Sequence, residues 1–365
     1  MQIREITNYI ESIAPLAYQE SYDNAGLLVG HGSTEINNIL ICLDVTEEVV
    51  DEAINEGFKL IIAHHPLIFS GIKKINGKNE VERCLIKAIK HDIAIYAAHT
   101  NLDSVHGGVN SKICERLSLL NCKTLAPAKG QLKKLVTFIP ESHATSVQQA
   151  VFETGAGHIG NYDSCGYRLN GEGSFRGNEQ TNPFVGEQGK LHYEKEVRFE
   201  TIFPAHIQNG VISALLVAHP YEEVAYDIYP LDNEFATVGA GMIGELNQPV
   251  PENEFLQFVK KQFDCQVVRH SPLLGKSIHK VAVCGGSGSF LIRQAMAANA
   301  DIFITGDLKY HQFFEAEGKL VLADIGHFES EQFTKEVFYE LLTKKFPKFA
   351  IRLSAVKTNP INYLI

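Results

Sequence analysis

The sequence predicts an α/β fold, two α/β blocks with a ferredoxin-like α+β domain inserted between them, and three observations carry that prediction. Short continuous apolar runs alternate with helix-period segments over residues 1–125, as in a largely parallel sheet covered on both faces. The same alternation returns from Lys280 onward. Between about Leu132 and Phe235 the order becomes strand–helix–strand–strand–helix–strand, the split βαββαβ unit. The expected domains are therefore 1–131, 132–235 and 236–365.

In the first block Ile3, Ile6, Ile10 and Ile13 share one helical face. Asn38–Asp44, Lys59–Ala63 and Ile93–Ala98 read as strands, and Thr46–Glu56, Glu80–Lys90 and Val105–Leu119 as helices. In the insert, Leu135–Ile139 is a strand, and Val147, Ala150 and Val151 mark a helix capped by Ser142. A Gly-rich hairpin (Gly171–Gly189) leads to an alternating strand at Glu196–Phe203, then a helix marked by Ile207, Val211, Ala214 and Leu215, then a strand at Ala225–Leu231. The closing block has strands at Lys280–Cys284, Asp301–Thr305, Lys319–Ala323 and Phe349–Leu353, with helices at Phe290–Ala298, Leu308–Ala316 and Ser330–Leu342.

With 33 basic and 43 acidic side chains the formal charge is −10, which disfavours nucleic acid as a partner because phosphate neutralisation needs a basic surface. Seven of those ten net charges fall between Leu132 and Phe235, so this objection is weaker for the two outer blocks. The start lacks a basic region followed by an apolar core, and no apolar run approaches the roughly 20 residues a membrane span needs. Seven Cys form no C-x-x-C pair, and several lie in apolar segments, as Cys42 and Cys284 do. Reduced buried thiols and a cytoplasmic location are expected.

Ligands in open α/β sheets gather just beyond the carboxyl ends of strands. Read in order, those ends carry His64-His65-Pro66, then His99-Thr100-Asn101-Leu102-Asp103, then Gly306-Asp307, then Asp324-Ile325-Gly326-His327, with Glu331 four residues on. Neutral imidazole with carboxylate suits Zn, Fe, Mn or Co. Where Pro66 stops the strand, the backbone turns and lets His64 and His65 serve one site. His327 and Glu331 share a face if a helix starts by His327. Three His (64, 65, 327) and two carboxylates (Asp103, Glu331) are too few for two closed shells, but suit two divalent ions sharing a carboxylate and keeping open positions. Each piece alone has a plainer reading: a loop, a helix-face pair, a helix cap.

Three further features are open at this level. Cys284-Gly285-Gly286-Ser287-Gly288-Ser289, between a strand and a helix, is either a phosphate cradle or a tight turn. Asp307, with Tyr310-His311, is either an orienting partner or part of an acid–base pair with His311, unless it is simply a helix cap. His219-Pro220-Tyr221-Glu222-Glu223 has no evident partner set for a metal.

Several segments together make the chain resemble the NIF-three-like family of dinuclear metal-binding proteins, usually labelled GTP cyclohydrolase I type 2 homologues. They are Tyr22-Asp23-Asn24-Ala25-Gly26-Leu27, Leu43-Asp44-Val45-Thr46, Ala63-His64-His65-Pro66-Leu67, Thr100-Asn101-Leu102-Asp103, Ile304-Thr305-Gly306-Asp307-Leu308-Lys309-Tyr310-His311 and Gly326-His327-Phe328-Glu329-Ser330-Glu331. In the insert they are Gly171-Glu172-Gly173-Ser174-Phe175-Arg176-Gly177, Asn182-Pro183-Phe184 and His219–Asp227. One departure is Tyr22, where many members carry Trp. The resemblance implies two divalent ions at His64, His65, Asp103, His327 and Glu331, and two similar lobes facing each other across them. It also implies an insert like the small signal-transduction or copper-tolerance domains, and a toroidal homohexamer.

The function expected is a dinuclear metal-dependent hydrolase acting on a nucleotide or related small molecule. Glu331 would bridge the ions, and Asp307 or His311 would handle protons. The rival expectation is a non-enzymatic metal- or ligand-binding regulatory ring.

Overall fold

The computed structural model describes residues 1–364 and divides into two compact units, one of residues 1–126 with 237–365, the other of residues 127–236. It is a mixed α/β structure with three sheets.

The larger unit holds two of these sheets. The first has the order Gly26–Val29, Ala94–Ala97, Leu60–Ala63, Asn38–Cys42, Ala350–Leu353. Its last four strands run parallel, and only Gly26–Val29 is antiparallel, on an edge. Alternate residues face opposite sides: Leu40, Cys42, Ile61, Ala63 and Ile95 pack beneath helices Glu47–Glu56 and Glu80–Lys90, while Ile39, Ile41, Leu60, Ile62 and Tyr96 face the other way. Burial on both faces is why these strands read as unbroken apolar runs. Thr46 caps its helix, its side chain accepting from the Val49 N–H.

The second sheet has the order Arg269–His270, Val321–Asp324, Ile302–Gly306, Ser277–Ser287, Phe235–Pro251, Leu120–Ala128. Each sheet thus takes a strand from the other half of the chain, Ala350–Leu353 in the first and Leu120–Ala128 in the second. One hydrophobic cluster joins the inward residues of both sheets through helices Ile3–Ile13, Val109–Arg116, Glu252–Gln262 and Thr334–Lys345. The strand ends from the two sheets are held in register by this common core.

Several expected elements are shorter or divided. The helix expected over Val105–Leu119 is confined to Val109–Arg116, with a separate short helix at Thr100–Asp103 before it, because Gly107-Gly108 interrupts it. Ser330–Leu342 is split into His327–Glu331 and Thr334–Lys345, and Leu308–Ala316 narrows to a tight turn at Tyr310–Ala316. The long strand Phe235–Pro251, rich in Gly and antiparallel to Ser277–Ser287, has no parallel-sheet signature and was not foreseen.

The smaller unit has an antiparallel sheet with the order Gly166–Phe175, His192–Pro204, Leu132–Pro140, Tyr226–Leu231. Helices Ala144–Glu153 and Gln208–Ala218 bury Val147, Val151, Val211 and Leu215 against Leu135, Ile139, Val197, Phe199 and Phe203. Ser142 does not cap the first helix; its hydroxyl is spent on His143 Nδ1 (2.9 Å). No helix among the described residues is long and apolar enough to cross a membrane.

Candidate metal centre

Strand Leu60–Ala63 ends where the Leu43 carbonyl accepts both the His64 and the His65 N–H (3.1 and 3.0 Å). That shared acceptor curls the backbone and sends consecutive imidazoles toward one place, their ring centroids 4.9 Å apart. Asp103 closes the short helix Thr100–Asp103 after strand Ala94–Ala97. From the other sheet, the five-residue helix His327–Glu331 follows Val321–Asp324 and aligns its first and last side chains, with His327 Nε2 3.0 Å from Glu331 Oε2.

All three imidazoles are oriented the same way. His64 Nδ1–H donates to the Ala98 carbonyl (2.9 Å), His65 Nδ1–H to Asp44 (2.6 Å) and His327 Nδ1–H to Asp307 (2.7 Å). Each Nε2 therefore faces inward, where Glu331 lies. One Glu331 oxygen sits 3.7 Å from His64 Nε2, and the other 2.9 Å from His65 Nε2. Three candidate donor groups result among the described residues: His64–His65–His99, and two that share Glu331, His64–Asp103–Glu331 and His65–His327–Glu331.

Burial and charge set the protonation. Burial alone would raise the Glu331 carboxyl, but the neighbouring imidazoles, His64 foremost, hold it well below the usual carboxylate range. Burial opposes a charge on His65, yet its hydrogen bonds to Asp44 and Glu331 prevail and lift it to about 10. His327 rises to about 9 against the same penalty, through Glu331 and Asp307. Asp103 moves the opposite way from Glu331: burial, then the Glu331 charge, push it up to about 8.

The family model described as Duf34/NIF3 (NGG1p interacting factor 3) matches residues 1–360. The chain belongs to the DUF34/NIF3 family. A Bacillus subtilis relative named "GTP cyclohydrolase 1 type 2 homolog" is 41% identical over 367 residues, covering 99% of this chain and 98% of that protein. One of the same name from Halalkalibacterium halodurans is also 41% identical, covering 98% of each. A Bacillus cereus protein related to NIF3 superposes with a TM-score of 0.86 at 41% identity, covering 100% of this chain and 99% of that one. The Staphylococcus aureus protein SA1388 gives 0.78 at 27%, with the same coverage.

This DUF34/NIF3 member thus brings together His64, His65, Asp103, His327 and Glu331, and Asp307 joins them as the partner of His327. His311 is not brought in. It is exposed on the turn Tyr310–Ala316, packs edge-on against Tyr310 and beside Phe314, and makes no hydrogen bond or ion pair with the cluster among the described residues. Of the two readings of Cys284–Ser289, the tight turn is favoured over the phosphate cradle, since its glycine amides are taken: Gly285 by Asn110 (3.0 Å), Gly286 by Ser330 (2.9 Å) and Gly288 by Thr305 (2.9 Å). Gly286 serves the carboxylate instead. Its φ is +60°, and a Cβ there would lie 2.3 Å from Glu331 Oε1.

His99, Asp23 and Asp44 went unselected in the sequence. His99 Nδ1–H donates to Asp23 (2.8 Å), and its ring packs 5.2 and 5.4 Å from those of His64 and His65. Asp23 also accepts from the Thr100 N–H and hydroxyl, and Asp44 from the Thr358 hydroxyl. The strand-end rule that picked Asp103 applies equally to His99 and Asp44, which follow strands Ala94–Ala97 and Asn38–Cys42.

The donor set fits divalent ions. Among the described residues, His64 Nε2 and Asp103 Oδ1 are buried with no hydrogen-bond partner, 3.6 Å apart, close to the separation of two ligands each about 2.1 Å from one ion. Histidines whose second nitrogen is anchored on a carbonyl or carboxylate are the usual form of a metal ligand. A cavity of about 580 Å³ opens over the cluster, with Tyr22, Phe69, Phe290 and Phe328 in its walls and no Lys or Arg among its described lining residues.

Proposed function

We propose that this chain is a dinuclear metal-dependent hydrolase acting on a nucleotide or related small molecule. His64, Asp103, His65 and His327 would hold two divalent ions, and Glu331 would be shared between them. The observation that carries this reading is the Glu331 carboxylate, nearly fully buried, with one oxygen turned to each donor group. The two sheets are read as similar lobes facing this site, and residues 132–235 as a ferredoxin-like insert.

Two such ions would lower the pKa of a water and polarise the group it attacks. The chain's own residues do the rest. Ala98, Asp44 and Asp307 fix the three imidazoles before substrate arrives, so no reorganisation is needed at the moment of reaction. Asp307 is thus a positioning residue. His99, held by Asp23 and facing the cavity, is better situated than His311 to hold a proton near substrate.

The wall chemistry narrows the substrate. Aromatic side chains such as Tyr22 and Phe69, tilted 49° with centroids 6.3 Å apart, suit a flat heterocycle. A polyphosphate would find no Lys or Arg among the described lining residues. This supports attack on a ring, in keeping with the relatives' name, over attack on a phosphate. The test is turnover of a panel of nucleotides, nucleosides and bases by protein loaded with Mn, Zn, Fe or Co. Turnover that disappears in Glu331→Ala is expected. No turnover with any metal, with His64→Ala and Glu331→Ala indistinguishable from the parent, would sink the enzymatic reading.

A further inference from the structure

Three segments singled out in the sequence play no part in the metal centre: Gly171–Gly177, Asn182-Pro183-Phe184 and His219–Asp227. All three converge on one cavity of about 560 Å³ within the smaller unit. We propose that this cavity is a second binding site, for a small organic cation bearing an amine, guanidinium or quaternary ammonium group, held by Phe175, Phe184, Tyr221 and Glu196.

The rings come one from each segment. The Phe175 and Phe184 centroids lie 6.0 and 6.3 Å from that of Tyr221. The loop carrying Phe184 is tied to the third segment by the Asn182 N–H, which donates to Glu222 (2.8 Å). Ring faces carry negative potential and attract a cation placed among them, most strongly where water is excluded.

A carboxylate completes the cage. Glu196 Oε1 accepts the Tyr221 hydroxyl (2.9 Å), while Oε2 lies across Gly173, where a Cβ would come within 2.2 Å of it. Oε2 has no hydrogen-bond partner among the described residues. Any occupant that fills the cavity strips water from this oxygen, and burying an unpaired carboxylate is costly. A cation compensates for that loss; a neutral or anionic molecule does not.

The remaining charges agree. Glu172, Glu196, Glu222 and Glu223 line the cavity against Arg176 and Arg198, and Arg198 is already engaged by Glu200 (2.8 Å). A transition metal is disfavoured, because His219 spends both ring nitrogens on backbone. Its Nε2–H donates to the Phe138 carbonyl (3.0 Å), and its Nδ1 accepts the Tyr221 N–H (3.1 Å).

Equilibrium dialysis of the full chain against tetramethylammonium, choline, benzyltrimethylammonium and agmatine tests this, with neohexanol as the uncharged isostere of choline and benzoate as an anion. At least one cation should bind saturably, one per chain, and neohexanol about tenfold more weakly than choline if choline binds. Phe184→Ala and Glu196→Gln should each weaken the bound cation by about tenfold. Gly171→Leu fills the cavity from a position where a Cβ meets nothing within 4 Å, so it should abolish binding at unchanged melting temperature even if the other variants fold poorly. No binding by any cation, tighter binding of benzoate, equal binding of neohexanol and choline, or a cation site that survives Gly171→Leu would each overturn the proposal.

Discussion

Two cavities of nearly equal volume, about 580 and about 560 Å³, are built on opposite plans. Over the candidate metal centre, the polar groups belong to strand ends and short helices whose backbones are pinned by parallel strand pairs. Their charges are close enough that each resets its neighbours' protonation. In the smaller unit the cavity is made by long segments folding over one sheet, and the carboxylate of Glu196 is held there by a tyrosine. The lesson is that size does not distinguish the cavity proposed as catalytic from the one proposed as a binding site. What distinguishes them is whether buried donors point at each other or at the space between them.

The largest effect expected is that of Glu331→Ala. Removing the group common to both donor sets should weaken metal binding by more than about a hundredfold, beyond the loss typical of an outer partner. Titration with a chelator competitor measures this, and an unchanged affinity would mean the two donor groups are independent. Gly286→Ala should come next. Its φ of +60° strains any side chain, and its Cβ would displace the Glu331 carboxylate, so metal should be lost without any change to a ligand.

Asp44→Asn and Asp307→Asn loosen the orientation of His65 and His327. Each should cost about 10- to 100-fold in metal affinity while the circular dichroism stays that of the parent. Neither should alter the cavity of the smaller unit, so cation binding there serves as an internal control.

Acidity separates the ion-free and ion-loaded proteins. His65 at about 10 and His327 at about 9 carry protons at pH 7 when no ion is bound. An ion must expel them, so affinity should climb about tenfold per pH unit for each proton displaced, and level off near pH 10. The ion-free fold responds oppositely. The stability these raised imidazoles contribute is fully present below the ordinary imidazole range and is lost as pH rises through about 9 to 10. Melting curves of chelated protein between pH 7 and 10 should fall while affinity rises; parallel trends would show that the imidazoles are not held by Glu331, Asp44 and Asp307.

Leu215→Ala should have the smallest effect on the centre. It opens a hole in the core of the smaller unit and should cost about 2–5 kcal/mol there. Metal content should not change.

The five proposed ligands were legible because they sit where parallel strands end, and position after an apolar run survives in one dimension. Asp44 and His99 met the same criterion but were passed over, since a lone strand-end residue looks like a cap until its partner is known. The partner of each lies far along the chain: Asp23 is 76 residues from His99, and Thr358 is 314 from Asp44. The Gly run at 284–289 stayed open between cradle and turn because its glycine amides are satisfied by Asn110, Ser330 and Thr305, contacts only folding creates. The exchange of strands Leu120–Ala128 and Ala350–Leu353 between sheets was hidden for the same reason. His219 looked unpartnered in the sequence because its partners are backbone atoms, which leave no trace in residue identity.

The account rests most heavily on Glu331 as the group shared by two ions. Crystals of protein loaded with Mn at pH 8 and examined at the metal absorption edge test it directly. Two anomalous peaks about 3.5–4 Å apart, with one Glu331 oxygen on each, are the expected result. A single peak, or two peaks that persist in Glu331→Ala, would contradict it.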